Sequence, residues 1–209
     1  MSTQSKNSRK YELKARAESQ ERTRQEIAEA AAGLHEEVGP AETTVAEIAR
    51  RAGVSRLTVY KHFPDNASLY PACSAHYLSE HPLPDFAAAL APADPADRVG
   101  SLLRTVYGDW YRESRQMIRN LLRDRGSDPA LDEFMRGNSD VALAGLADAL
   151  TVGFGLEGDR GARLHALIRV ALDFWTWERL TGEGMDDASA AELMTDAIAA
   201  VAGEPATAR

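Results

Sequence analysis

Lysine is absent from this chain after residue 61, although the sequence runs to 209 residues. Residues 1–63 carry 11 Lys and Arg against 9 Asp and Glu, whereas residues 64–209 carry 13 against 23, so a slightly basic head precedes a strongly acidic body. That asymmetry directs any polyanionic partner to the head. Cysteine is almost absent too. The single Cys73 excludes an intramolecular disulfide framework and fits a reducing compartment. No apolar run approaches the roughly 18 residues that a membrane span requires, which argues against a membrane partner. The opening stretch MSTQSKNSRKYELKARAES offers no apolar core for a signal segment, so a cytoplasmic protein is expected. Alternating strand patterns are nearly missing, and helical periodicity fills their place.

An all-α fold follows, with a small N-terminal three-helix unit and a larger helical body. Ile27, Ala31, Leu34 and Val38 recur at spacings of 4, 3 and 4, making one apolar face of a helix from Arg24 that Gly39-Pro40 stops. Thr44 and Glu47 have capping-box spacing, so a second helix starts at Val45. Gly53 ends it, because glycine takes the left-handed conformation at little cost. Ser55 caps a third helix running to about Phe63, and after Pro64-Asp65 the residue Asn66 caps a fourth reaching about Glu80. A proline-rich loop over 81–97 holds one short turn at 86–90, and further helices are expected over 96–113, 115–125, 128–151, 159–181 and 187–202. The domain reading is a flexible basic arm over 1–18, a compact head over 19–65 and a larger helical body over 66–209. The arm, with Lys6, Arg9, Lys10, Lys14 and Arg16, reads either as a contact along DNA or as a solubilising tail.

The stretch TVAEIARRAGVSRLTVYKHF, residues 44–63, carries the function. Two helices of about two turns each are marginal alone and must pack on one another. Ala49, Gly53 and Val59 supply a small residue for close crossing, a hinge and a core aliphatic, which is the pattern of a helix-turn-helix. Val54, Val59 and Phe63 then face inward. Arg56 falls where a recognition helix first meets base edges, Leu57 suits a thymine methyl, and Thr58 suits a base or phosphate. Thr44, Tyr60, Lys61 and His62 are candidate phosphate contacts, joined by Arg24 at the start of the first helix and Asn66 at the start of the fourth.

IAEAAAGLHEEVGP, TTVAEIARRAGVSRLTVYKHFPDN and the following ASLY resemble the DNA-binding domain of the tetracycline-repressor (TetR) family of bacterial transcriptional regulators, over about Arg24 to Leu69. The resemblance implies a homodimer, a C-terminal effector-binding domain and repression relieved by an unidentified small molecule. It also implies DNA-facing roles for Thr44, Arg56, Thr58, Tyr60, Lys61 and His62. Two positions depart from the family pattern. Asn66 stands where many members have lysine, and Leu57 where many have a smaller residue.

In the body, segment 159–181 is apolar nearly all round and segment 187–202 carries a further apolar stripe. A helix buried on both sides in so small a body points to a partner subunit. Leu164, Leu167, Ile168, Ala171, Leu172, Trp175, Leu193, Met194, Ala197, Ile198 and Val201 are the expected interface of a four-helix contact, as the family resemblance also implies. Tyr77, Phe86, Tyr107, Trp110, Met117, Phe134 and Trp175 are the bulky residues best suited to line an effector pocket, each also an ordinary core candidate. Arg112, Arg115, Arg119 and Arg123 form a stripe that either binds an anion or pairs with neighbouring carboxylates such as Glu113 and Asp124.

GFGLEG at 153–158 satisfies a dinucleotide fingerprint literally, but the preceding LAGLADALTV is helical and not a strand. Cys73 and His76 could seed half a metal site, yet no second pair at ligand spacing follows. No nucleophile, base and orienting group stand together, so neither an enzyme nor a cofactor is expected. The competing reading is a ligand- or protein-binding dimer whose helix-turn-helix does not engage DNA.

Overall fold

The computed structural model describes the backbone of residues 3–203 and side chains from Lys14 onward. Among the described residues the fold is all-α: α1 (Thr3–Glu37), α2 (Val45–Arg51), α3 (Arg56–His62), α4 (Asn66–Glu80), α5 (Phe86–Ala89), α6 (Pro95–Arg104), α7 (Arg115–Asp124), α8 (Pro129–Met135), α9 (Val141–Val152), α10 (Gly158–Ala171), α11 (Phe174–Gly182) and α12 (Asp187–Gly203). A 3-10 turn spans Pro40–Glu42, and π-helical segments over Thr105–Tyr111 and Arg136–Asp140 extend α6 and join α8 to α9. No described helix is long and apolar enough to cross a membrane.

Two compact units divide the chain: residues up to His81 with Arg119–Phe134, and Pro82–Ile118 with Met135 onward. In the first, Ile27, Ala31 and Leu34 are buried as their spacing predicts, and α1 packs on α2 and α4. Val38 falls past the end of α1 and is 42% exposed. Residues 3–18, expected as a flexible arm, continue α1 instead. They contain no Gly or Pro and are rich in Lys, Glu, Ala, Arg and Gln, all favourable in a helix, with Lys14 and Glu18 paired at i,i+4.

In the second unit, α6 and its π-helical continuation bury Val99, Leu102, Leu103, Val106 and Tyr107, the spacing of a single helical face. The helix expected over 159–181 is broken. Asp173 accepts hydrogen bonds from Trp175 N and Thr176 N, and so caps a new helix, α11, inside what reads as a continuous apolar run. The last carbonyls of α10 then need partners, which two phenols supply: Tyr107 Oη donates to Ala171 O at 2.6 Å and Tyr111 Oη to Leu172 O at 2.5 Å. Tyr107 is thereby fully buried, with its hydroxyl held by the end of α10.

The expected dimer residues divide in two. Leu164, Ile168, Ala171, Leu172, Met194 and Ile198 are already buried within a single chain, where α10 packs on α9 and α12, so they serve its core. Trp175 and Leu193 remain 44% and 43% exposed, beside Val170 at 51%, while Leu167, Ala197 and Val201 are half-buried.

Candidate nucleic-acid interface

Helix α2 begins where Thr44 Oγ1 accepts from Glu47 N at 3.2 Å. It ends in a Schellman arrangement: Val54 N donates to Ala49 O at 2.9 Å and Gly53 N to Arg50 O at 3.3 Å. Gly53 has φ +67°, the left-handed value this closure requires. Ser55 then caps α3, accepting from Thr58 N at 3.1 Å, while the Ser55 and Thr58 hydroxyls share a 2.8 Å hydrogen bond. Val59 and Phe63 are buried at 2% and 3%. On the opposite side Arg56 and Lys61 are exposed, Leu57 is 79% exposed and Tyr60 53%, with Thr58 and His62 between the extremes. α3 contains no acidic residue.

The neighbouring cations are spoken for. Arg51 makes a two-pronged pair with Glu37 at 2.6 and 2.7 Å, and Arg50 pairs with Glu47, holding both carboxyls below their usual range. Arg24 donates from Nη1 to His62 O at 2.9 Å, its guanidinium lying 4.2 Å from the centre of the Phe63 ring. Asn66 is engaged as well: its amide donates to Asp128 Oδ2 at 2.8 Å, and Tyr70 Oη donates to the same oxygen at 2.6 Å. The cap of α4 is Asp65, not Asn66, in a reciprocal box with Ser68. An open crevice of 310 Å³ lies between α1 and the end of α3, lined by Ala17, Gln20, Glu21, Arg24, Lys61 and His62.

A polar cluster, of which only the Arg123–Asp124 pairing is foreshadowed by sequence, anchors this unit. Asn120 Nδ2 donates to the carbonyls of His35 and Glu36 at 3.0 and 2.8 Å, closing the C-terminus of α1. Arg123 donates to Val38 O, and Asp124 accepts from Ala41 N, which fixes the chain into the 40–42 turn. The Arg123 hydrogen bond keeps Asp124 ionised below the usual carboxylate range. Burial pushes Asp128 upward, but the donors Tyr70, Asn66, Leu131 N and Ala130 N prevail and lower it. His35 is 4% exposed, and burial depresses its pKa to about 4 against the opposing pull of Asp124 and Asp128. Its Nδ1 lies 3.6 Å from Cys73 Sγ, and burial raises that thiol to about 12, so it stays protonated and unreactive. Cys73 Sγ donates to Tyr70 O at 3.3 Å, with the His35 imidazole as its side-chain neighbour. Among the described residues no cluster of three His, Cys, Asp or Glu could hold a metal.

The expected pocket residues do not gather in one unit. Tyr77 and Phe134 belong to the first, whereas Phe86, Tyr107, Trp110, Met117 and Trp175 belong to the second. The arginine stripe is largely ion-paired: Arg112 with Asp187 at 3.0 Å, Arg115 with Glu178 at 2.9 Å and Arg123 with Asp124 at 2.6 Å.

Residues 27–73 match the family model "Bacterial regulatory proteins, tetR family". An uncharacterized HTH-type transcriptional regulator of Mycobacterium bovis is 34% identical over 128 residues, covering 60% of this chain and 64% of the relative. One from Mycobacterium tuberculosis is 29% identical over 126 residues, with coverages of 60% and 64%. The chain thus spans a little under two thirds of the curated relatives it matches. Among solved structures, a TetR-like transcriptional regulator from Rhodococcus sp. RHA1 superposes with TM-score 0.60 at 21% identity, covering 87% of this chain and 97% of that one. A TetR transcription regulator from Haloarcula marismortui gives TM-score 0.53 at 17% identity, with coverages of 87% and 97%. At those identities the likeness establishes the fold.

Proposed function

We propose that this chain, whose residues 27–73 form the DNA-binding head of the tetR family of bacterial regulatory proteins, is a sequence-specific repressor that binds a pseudo-palindromic operator as a dimer and is released by a small-molecule effector. The observation that carries the reading is α3, a two-turn helix with both ends fixed and no acidic residue of its own, its Val59 side buried and its Arg56, Leu57, Tyr60 and Lys61 side open to solvent.

Arg56 is the base reader, because its planar fork matches the O6 and N7 acceptors of guanine. Leu57 meets a thymine methyl, while Tyr60, Lys61, His62 and the hydroxyls of Thr44 and Thr58 hold phosphates and set register. Subunits pair through the exposed apolar residues of α10–α12, placing two α3 helices one DNA turn apart, roughly 34–36 Å. An effector held by the second unit favours a conformer with the wrong head separation. Tenfold weaker DNA binding needs only about 1.4 kcal/mol of differential affinity between conformers.

Selection of duplexes from a random library by the full chain tests this. The expected result is enrichment of an inverted repeat whose half-sites are centred about 10 base pairs, or a multiple, apart. Failure to enrich any sequence over the starting pool overturns it and leaves the dimer without a DNA role.

A further inference from the structure

We infer that Arg24 is a positioning residue of the recognition helix and not a contact to the DNA backbone, an inference that rests on the DNA-binding reading above. A helix as short as α3, seven residues, does not hold its shape alone, and its last carbonyls have no partner within the helix. The carbonyl of His62 takes its hydrogen bond from Arg24 Nη1 at 2.9 Å, across 38 residues of chain. The same guanidinium covers the face of Phe63, the C-cap residue of α3, at 4.2 Å from the ring centre. A planar, weakly hydrated cation does both at once in a fixed geometry, which a compact, strongly hydrated ammonium matches less well. Positive charge there also complements the helix C-terminus.

Arg24 sits three residues before Ile27, which is fully buried in the core of the head. A continuous mechanical path therefore runs from that core through Arg24 to the turn of α3 that carries Tyr60 and Lys61. With Arg50 and Arg51 paired to Glu47 and Glu37, Arg56 and Lys61 are the cations that α2 and α3 leave for DNA. Loss of Arg24 loosens the end of α3 while leaving those two charges in place. Discrimination between sequences should suffer, and the salt-dependent attraction should not.

The test compares the wild-type full chain with Arg24→Ala and Arg24→Lys by two readouts. The first is amide hydrogen exchange without DNA. The second is affinity, as a function of salt, for the duplex enriched by the wild-type chain and for a scrambled one. Both variants should speed exchange over residues 60–63 by ~10-fold and cut the enriched-to-scrambled affinity ratio by ~10-fold, as loss of a charged hydrogen bond predicts. In both, the slope of log affinity on log salt should keep its wild-type value. Unchanged exchange, a slope reduced by about 1 per subunit in Arg24→Ala and restored affinity in Arg24→Lys would make Arg24 a phosphate contact and overturn the inference. Should Arg24→Ala fail to fold, Arg24→Lys decides alone through exchange and affinity ratio. Should the wild-type chain enrich nothing, the DNA-binding reading fails separately, and exchange still decides whether Arg24 holds α3.

Discussion

On the proposed reading, two exposed residues of like charge on α3 should act differently on DNA. Arg56→Ala should cost on the order of 1–3 kcal/mol on the enriched duplex and relax preference at one base pair per half-site. Lys61→Ala should weaken all duplexes alike and lower the salt slope by about 1 per subunit. A uniform loss in both variants would remove Arg56 from base readout. Both residues are legible in sequence because a capped two-turn helix dictates which positions face out. The true partners of Arg24 and Asn66 are not, since they lie 38 and 62 residues away. His35 is likewise hidden. Neutral in the folded head down to a pKa of about 4, it takes up a proton in the unfolded chain below 6.5. Its folded pKa is the lower one, so its contribution is complete above pH 6.5 and is lost as pH falls from 6.5 towards 4. The loss amounts to about 3 kcal/mol. Urea unfolding across that window should show it, and His35→Gln should flatten the slope; an unchanged slope would mean that His35 titrates alike in the folded and unfolded chain.

At the scale of elements, spacing located the helices and missed one interruption. Capping signals at Thr44 and Ser55 and the hinge at Gly53 all act within four residues, so they can be read locally. The break between α10 and α11 turns on Asp173, whose neighbours Leu172 and Phe174 prolong the apolar pattern straight across it. The two phenols that close α10 come from more than 60 residues upstream. Asp173→Ala should therefore destabilise the fold by about 1 kcal/mol, the usual cost of losing an N-cap, and Asp173→Asn should retain most of it. Thermal or urea unfolding checks this, and equal losses in the two variants would mean that charge, not capping, is what Asp173 supplies.

For the whole molecule, the question is which apolar side chains serve the single chain and which remain for a partner. The sequence shows that segment 159–181 carries apolar residues around most of its circumference, but not which of them each neighbour covers, because that depends on contacts far away in the chain. In the folded chain α9 and α12 claim the side bearing Leu164 and Ile168, both fully buried, and Trp175, Leu193 and Val170 are left in solvent. Substitutions on the two sides should then separate. Leu164→Ala empties a filled core and should cost roughly 2–5 kcal/mol of stability. The pair Trp175→Glu and Leu193→Glu removes exposed apolar surface, so helicity and unfolding of the isolated chain should stay near wild type. Sedimentation should instead report monomers, and affinity for the enriched inverted repeat should fall by ~100-fold as the second half-site loses its effective concentration. Affinity for scrambled DNA should change far less, because each head keeps Arg56 and Lys61. A double variant that sediments as a dimer and binds the repeat at wild-type strength would place subunit pairing on another face, and the spacing of the two α3 helices would need a different origin.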